Sequence, residues 1–238
     1  MDELIVPRID DFTALADAEA QMVRTTVLDK LAADSARYLS EYSERFENVL
    51  NADDAATLFN EYNGDRARYR VAVHPAATWV RDELFRRALA EIPAEDTGRV
   101  VFTAGSNAAG KSSAIAYSEA RQWAHVVLDS TFSDPAHARR LVDAVLGARW
   151  PITVLYIGRP LEEAFLSMLD RSRQEGRLVG IGQMIHSHRG AAETVRGLAN
   201  EFRGDTRCDF HFFANSMRRV RGGVRHESGT HAARRDSQ

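Results

Sequence analysis

The sequence predicts an α/β fold: a mainly parallel sheet flanked by helices, preceded by an all-helical N-terminal region. Three observations predict it. Apolar residues up to about position 92 recur at three- and four-residue steps. From Arg99 onward, four short runs rich in Val, Ile and Phe appear. Stretches of helical length separate those runs, and such alternation is the mark of βαβ units. The chain divides on this reading into a helical region (1–97), an α/β core (98–216) and a basic tail (217–238) expected to be disordered.

The helical region opens with a stripe from Phe12 through Leu15, Met22, Val23, Val27, Leu31, Tyr38, Leu39, Tyr42, Phe46, Val49 and Leu50, divided near residues 33–35. Asn51 and Asp53 read as a break and a fresh cap, and Asn63 with Gly64 as a turn. A further helix over 76–90 places Trp79, Val80, Leu84, Phe85 and Leu89 on one side, and Pro93 and Gly98 close the segment. The strands are expected at 99–104 (RVVFTA), 124–128 (AHVVL), 151–157 (PITVLYI) and 209–213 (DFHFF). The first two are nearly all apolar, as interior strands covered on both faces require. The tail carries basic residues and glycines but almost no large apolar side chains.

Composition bounds the rest. The 238 residues, 44% hydrophobic and 27% charged, suffice for one sizeable core or two small ones. No apolar run approaches the roughly 20 residues that span a bilayer. The opening MDELIVPRIDDF is acidic where a secretory signal is basic and then apolar, so a soluble, cytoplasmic protein is expected. The single cysteine, Cys208, reads as a small buried hydrophobe. Residues 1–98 hold 20 acids and 11 bases (−9), whereas 99–238 hold 14 and 20 (+6). A basic back half suits a polyanionic ligand, although solvated surface charge explains the same split.

Residues 105–112 read GSNAAGKS and satisfy G-x-x-x-x-G-K-[ST], the P-loop pattern. Such a loop must curl its backbone N–H groups inward around phosphate oxygens, and Gly105 and Gly110 permit the necessary angles. Ser106, Asn107, Ala108 and Ala109 complete the wrap. Lys111 brings a mobile cation to the phosphates, Ser112 offers a hydroxyl to Mg²⁺, and Ser113 follows in the helix expected over 112–122. Only two of the 31 basic residues are lysines, and one of them stands here. The expected core is therefore of the P-loop NTPase kinase type, with ATP or GTP and Mg²⁺ as its ligands.

The second strand ends in Asp129, beyond which ligands sit in sheets of this type. A carboxylate there can bind Mg²⁺ or take the proton of an attacking hydroxyl. Asp134 is the better candidate to cap the next helix, and Thr131 reads equally as a substrate or metal contact and as a local cap. Arg171, Arg173 and Arg177 are expected after a helix, on a segment punctuated by Gly176, Gly180 and Gly182. Guanidinium groups there would offset charge developing on a transferred phosphoryl group, and the glycines would let the segment close. An exposed basic helix end is the other reading. His186 and His188 lack a third ligand at metal-binding spacing and read as surface or substrate-contact residues.

With GSNAAGKSS after a strand, VVLDST ending another, and VLYIGRPLEEAF followed by RSRQEGRLV and His186, residues 70–216 resemble the zeta-toxin family of P-loop kinases. More distantly they are similar to chloramphenicol phosphotransferases. The resemblance implies transfer of the γ-phosphate of ATP or GTP to a hydroxyl, with UDP-N-acetylglucosamine or NAD as acceptor in relatives. It implies that Lys111 and Ser112 hold phosphate and Mg²⁺, that Asp129 is the base, and that Arg171, Arg173 and Arg177 clamp the nucleotide. It also implies an antitoxin-like partner, a role the acidic helical front could take in cis. The chain departs from the family in one respect: only 17 residues separate Lys111 from Asp129, where the family has a long helical insertion and a further strand. Three functions follow: a kinase for a small molecule or nucleotide-type acceptor, an NTP-binding regulator or degenerate kinase acting through a partner, and a nucleic-acid end kinase, which is the least favoured. No membrane partner is expected.

Overall fold

The computed structural model describes residues 18–91, 98–175, 180–220 and 223–229. Apart from Glu175, which groups with the first, they fall into two compact units, residues 18–91 and residues 98–229.

The first unit contains α1 (Ala18–Ala33), α2 (Ser35–Phe46), the two-residue strand β1 (Val49–Leu50), α3 (Ala52–Ala56), α4 (Asn60–Gly64) and α5 (Arg66–Ala90). The division between α1 and α2 follows from Asp34, whose carboxylate accepts the Arg37 N–H and starts the second helix. Asn51 caps α3 in the same way, accepting from the Asp53 N–H at 2.7 Å. Val27, Leu31, Tyr42, Phe59, Val73, Val80 and Phe85 fill the core. Met22, expected in the buried stripe, is exposed. Phe12 and Leu15 lie outside the described residues. The last helix starts ten residues before the expected Ala76, because Asp65 caps it by accepting the Arg68 N–H at 3.0 Å. Pro75 therefore sits inside a helix, where it forfeits a backbone hydrogen bond. Burial of Ala72, Val73, Ala76 and Ala77 around it offsets that loss.

In the second unit, β2 (Arg99–Ala104) leads into α6 (Lys111–Tyr117) and α7 (Ala120–Trp123), followed by β3 (Ala124–Asp129) and α8 (Pro135–Gly147). Then come β4 (Ile152–Gly158), α9 (Leu161–Glu175), α10 (Ile181–Glu201), β5 (Cys208–Val220) and β6 (Gly223–Gly229). Within this unit the strand order is β3-β2-β4-β5-β6. The first four are parallel and β6 is antiparallel to β5. This is the α/β, P-loop kinase-like architecture expected from the sequence, with β2 central and buried almost throughout. Because β3 lies on one side of β2 and β4 on the other, the carboxyl end of β2 is a topological switch point, the usual ligand crevice of such sheets.

Three local differences from the sequence expectation stand out. The helix over 112–122 is interrupted by Glu119, which takes a left-handed conformation (φ 53°) between α6 and α7. The helix before the arginines runs on to Glu175, because LEEAFLSMLDRSRQE contains no glycine or proline to stop it. And β5 continues through 217–220 and pairs with β6 over 223–229, where a disordered tail was expected to begin at 217. Residues 230–238 of that tail lie outside the described residues. Among the described residues no helix is long and apolar enough to cross a membrane.

Candidate functional site

Residues 105–110 leave β2 and turn sharply into α6. Three of them hold positive φ: Gly105 (142°), Ala108 (61°) and Gly110 (98°). Two are glycines for a second reason. A Cβ on Gly105 would approach the Ile157 carbonyl oxygen to 2.5 Å, and one on Gly110 would collide with the Asn215 side chain. Ala108 has no such exemption, and a left-handed non-glycine residue persists only where its surroundings fix it. Here it packs against Ala164, Met168 and Met184 from α9 and α10.

The loop is closed by the Ala109 N–H on the Ser106 carbonyl (3.2 Å) and joined to the segment after β3 by the Gly105 N–H on the Thr131 carbonyl (3.2 Å). Lys111 begins α6, and its Nζ reaches back to the Gly105 and Ser106 carbonyls at 3.4 and 3.3 Å. These long contacts hold the ammonium over the loop. Ser112 and Ser113 are exposed in the first turn of α6. Ser106 is buried, and Asn107 donates to Ser187 of α10 at 3.5 Å.

Asp129 ends β3 directly opposite Thr103 of β2. The Thr103 hydroxyl, fully buried, donates to Asp129 Oδ1 at 2.5 Å. Past Asp129 the chain turns at Phe132 (φ 52°), whose ring enters the core 5.1 Å from that of Phe102. Gly190 lets α10 press on this segment, since a Cβ there would overlap the Ser133 carbonyl. Thr131 bonds locally to Ser133 at 3.0 Å. Asp134 caps α8, accepting from the His137 N–H at 3.0 Å, and that bond holds its carboxyl below the usual carboxylate range.

The arginines differ in placement from the sequence expectation. Arg171 and Arg173 lie in the last turns of α9, both exposed, with Arg173 paired to Asp170 at 3.5 Å. They stand on a helix and not on the glycine-bearing segment after it. Arg177 lies outside the described residues. The structure sets Asp129 and the loop that starts at Gly105 at the carboxyl ends of adjacent strands, with Lys111 folded back on that loop and Ser112 following it in α6. His186 and His188 lie on α10, the first exposed and the second half-buried.

Two residues absent from the sequence reading touch the loop directly. Arg159, one residue past β4 and buried, donates from Nη1 to the Ala108 carbonyl at 3.0 Å. Asn215 of β5 donates from Nδ2 to the Ala109 carbonyl at 2.8 Å. Arg159 carried one usable signal, its position at the ligand-side end of a parallel strand. Asn215, beyond the expected end of the last strand, carried none.

Residues 120–210, from α7 to the start of β5, match the family model described as Zeta toxin. No curated protein matches the chain. Over that stretch the chain is zeta-toxin-like, and the match supports a P-loop, kinase-like phosphotransferase. The match begins after residues 105–112, so the loop rests on its own motif and geometry.

Proposed function

We propose that this chain is a Mg²⁺-dependent phosphotransferase that moves the γ-phosphate of ATP or GTP to a hydroxyl of a small molecule or nucleotide-type acceptor. The supporting observation is one juxtaposition. A curled G-x-x-x-x-G-K-S loop and a carboxylate held by a buried threonine share the carboxyl ends of adjacent parallel strands. Backbone amides of the loop and the start of α6 receive the phosphates, and Lys111 moves from the loop carbonyls to the incoming anion. Asp129 takes the proton of the acceptor hydroxyl as its oxygen attacks the γ-phosphorus, and the nucleoside diphosphate leaves with the bridging oxygen.

The residues present fit a magnesium ion. Ser112 and Asp129 supply oxygen donors, the preference of a hard cation, and among the described residues no group of three His, Cys, Asp or Glu side chains gathers to hold a metal alone. Bound through Ser112 and Asp129 together with nucleotide phosphates, the ion would neutralise charge on the transferred group. Arg171 and Arg173 on α9, with Arg177, are assigned to the same charge-neutralising task. The chain's departure from the family between Lys111 and Asp129 bears on the acceptor pocket, so the acceptor is named by class alone. An antitoxin-like partner, or the acidic helices acting in cis, belongs to this reading as its regulation.

Incubation with labelled ATP or GTP, magnesium and a metabolite extract tests it directly. A discrete metabolite should become phosphorylated, and Lys111→Ala should lower the transfer at least about a hundredfold while the protein stays folded. Nucleotide binding with no transfer to any metabolite would favour an NTP-dependent regulator instead.

A further inference from the structure

The phosphate loop is held from its outer side by two residues that come from elsewhere in the sheet. We propose that Arg159 and Asn215 form a two-point clamp on consecutive carbonyls of the loop, acting as positioning residues for nucleotide phosphate; the inference rests on the function proposed above. A peptide unit is planar, so its C=O and the following N–H point in opposite directions. Fixing the Ala108 carbonyl with Arg159 therefore fixes the Ala109 N–H, which closes the turn on Ser106. Fixing the Ala109 carbonyl with Asn215 aims the N–H of Gly110, the residue that caps α6, away from Asn215. These are the two peptide planes flanked by the positive-φ residues Ala108 and Gly110, where rotation of a plane is the easiest way to relax strain.

Stability alone does not account for Arg159. Its side chain is about 5% exposed, and Glu163 lies 3.8 Å from Nε, too far for a hydrogen bond. Among the described residues, Nε and Nη2 have no hydrogen-bond partner. A buried cation with two donors unused is costly, and an apolar side chain of similar size would pack there at lower cost. Among the described residues, its one direct hydrogen bond goes to the loop. Asn215 is built in just as closely. Gly110 lacks the Cβ that would displace the amide, and the register Gly158↔Ala214 sets Asn215 one step beyond the end of β4. Pairing of Asn215 with Ser228 of β6 holds that strand in place.

Binding of ATP to the full chain, with magnesium, tests the clamp without knowledge of the acceptor. Inorganic tripolyphosphate serves as the probe that carries phosphates alone. Asn215→Asp keeps the shape but sets a carboxylate against the Ala109 carbonyl, and Arg159→Lys keeps the charge but loses the guanidinium fork. Both variants should melt within about 2 °C of the parent, while binding of ATP and of tripolyphosphate weakens by about fivefold or more, the worth of one lost hydrogen bond. Asn215→Ser, which retains a short donor, should recover part of the loss. Parent-like affinity in both variants, or weakening only in step with a lower melting temperature, overturns the clamp. Should the unaltered chain bind neither ATP nor GTP, the proposed function falls and the clamp with it, a result distinct from a clamp failing in a chain that binds.

Discussion

Thr103 is the only polar side chain in the interior of β2, and its hydroxyl is spent on Asp129. In the proposed role of base, Asp129 must be aimed as well as ionised, and a single hydrogen bond from a rigid strand would restrict which carboxylate oxygen faces an acceptor. Thr103→Val keeps the shape and removes the bond. The expected outcome is a fall in kcat of about tenfold with the nucleotide KM little changed, and Thr103→Ser should restore most of it. An unchanged kcat would mean the bond serves packing alone. The residues of the loop itself were legible in the sequence because the pattern names the very residue types that the backbone and phosphates require. Thr103, Arg159 and Asn215 were not, because their partners lie 26, 51 and 106 positions away and meet only through strand register. No local spacing encodes such a pair.

At the scale of the element, capping chemistry made boundaries readable at Asn51 and Asp134, each of which accepts a backbone N–H two or three residues on, whereas the cap at Asp34 came with the structure. Two boundaries differ from the sequence expectation for different reasons: α5 starts at its Asp65 cap and carries Pro75 in a buried stretch, and α9 runs past the arginines because nothing in its sequence stops it. Helix α5 also carries an electrostatic device the stripe of apolar residues does not announce. Arg86 and then Arg87 hydrogen-bond Glu83, holding its carboxyl down from the ordinary 4.5 to about 2. A carboxyl depressed by folding adds stability above its unfolded pKa and loses it as pH falls through the folded one. Glu83→Gln should therefore melt below the parent at pH 7, and the gap should narrow between pH 4.5 and about 2. Thermal melts of both proteins across that window check the sign; a gap as wide at pH 2 as at pH 7 contradicts it.

Considered as a whole molecule, the second unit gathers its chemistry at one edge of the sheet. Parallel strands in the order β3-β2-β4-β5 place Asp129, Gly105, Arg159 and Asn215 at the same ends, although they are spread over more than a hundred positions of sequence. The alternation of strands and helices foretold a parallel sheet; the strand order, which decides which ends are neighbours, came only with the structure, because each crossover is compatible with several orders until the faces are packed. This arrangement makes a distinct prediction for hydrogen exchange. A nucleotide bound as proposed, at the carboxyl ends, would stabilise the chain by about 2.7 kcal/mol at a hundred times its Kd and would also contact amides there directly. Exchange should slow most over 105–113, 129–131, 158–159 and 214–216. The opposite ends of the same strands, 98–100, 124–126, 151–153 and 207–209, should gain only what global stabilisation gives them. Peptide-resolved exchange with and without MgATP separates the two, since strand-end amides are the first to open in the free protein. Equal slowing at both edges would place the ligand elsewhere, and slowing at the amino ends alone would contradict the polarity that the parallel order imposes.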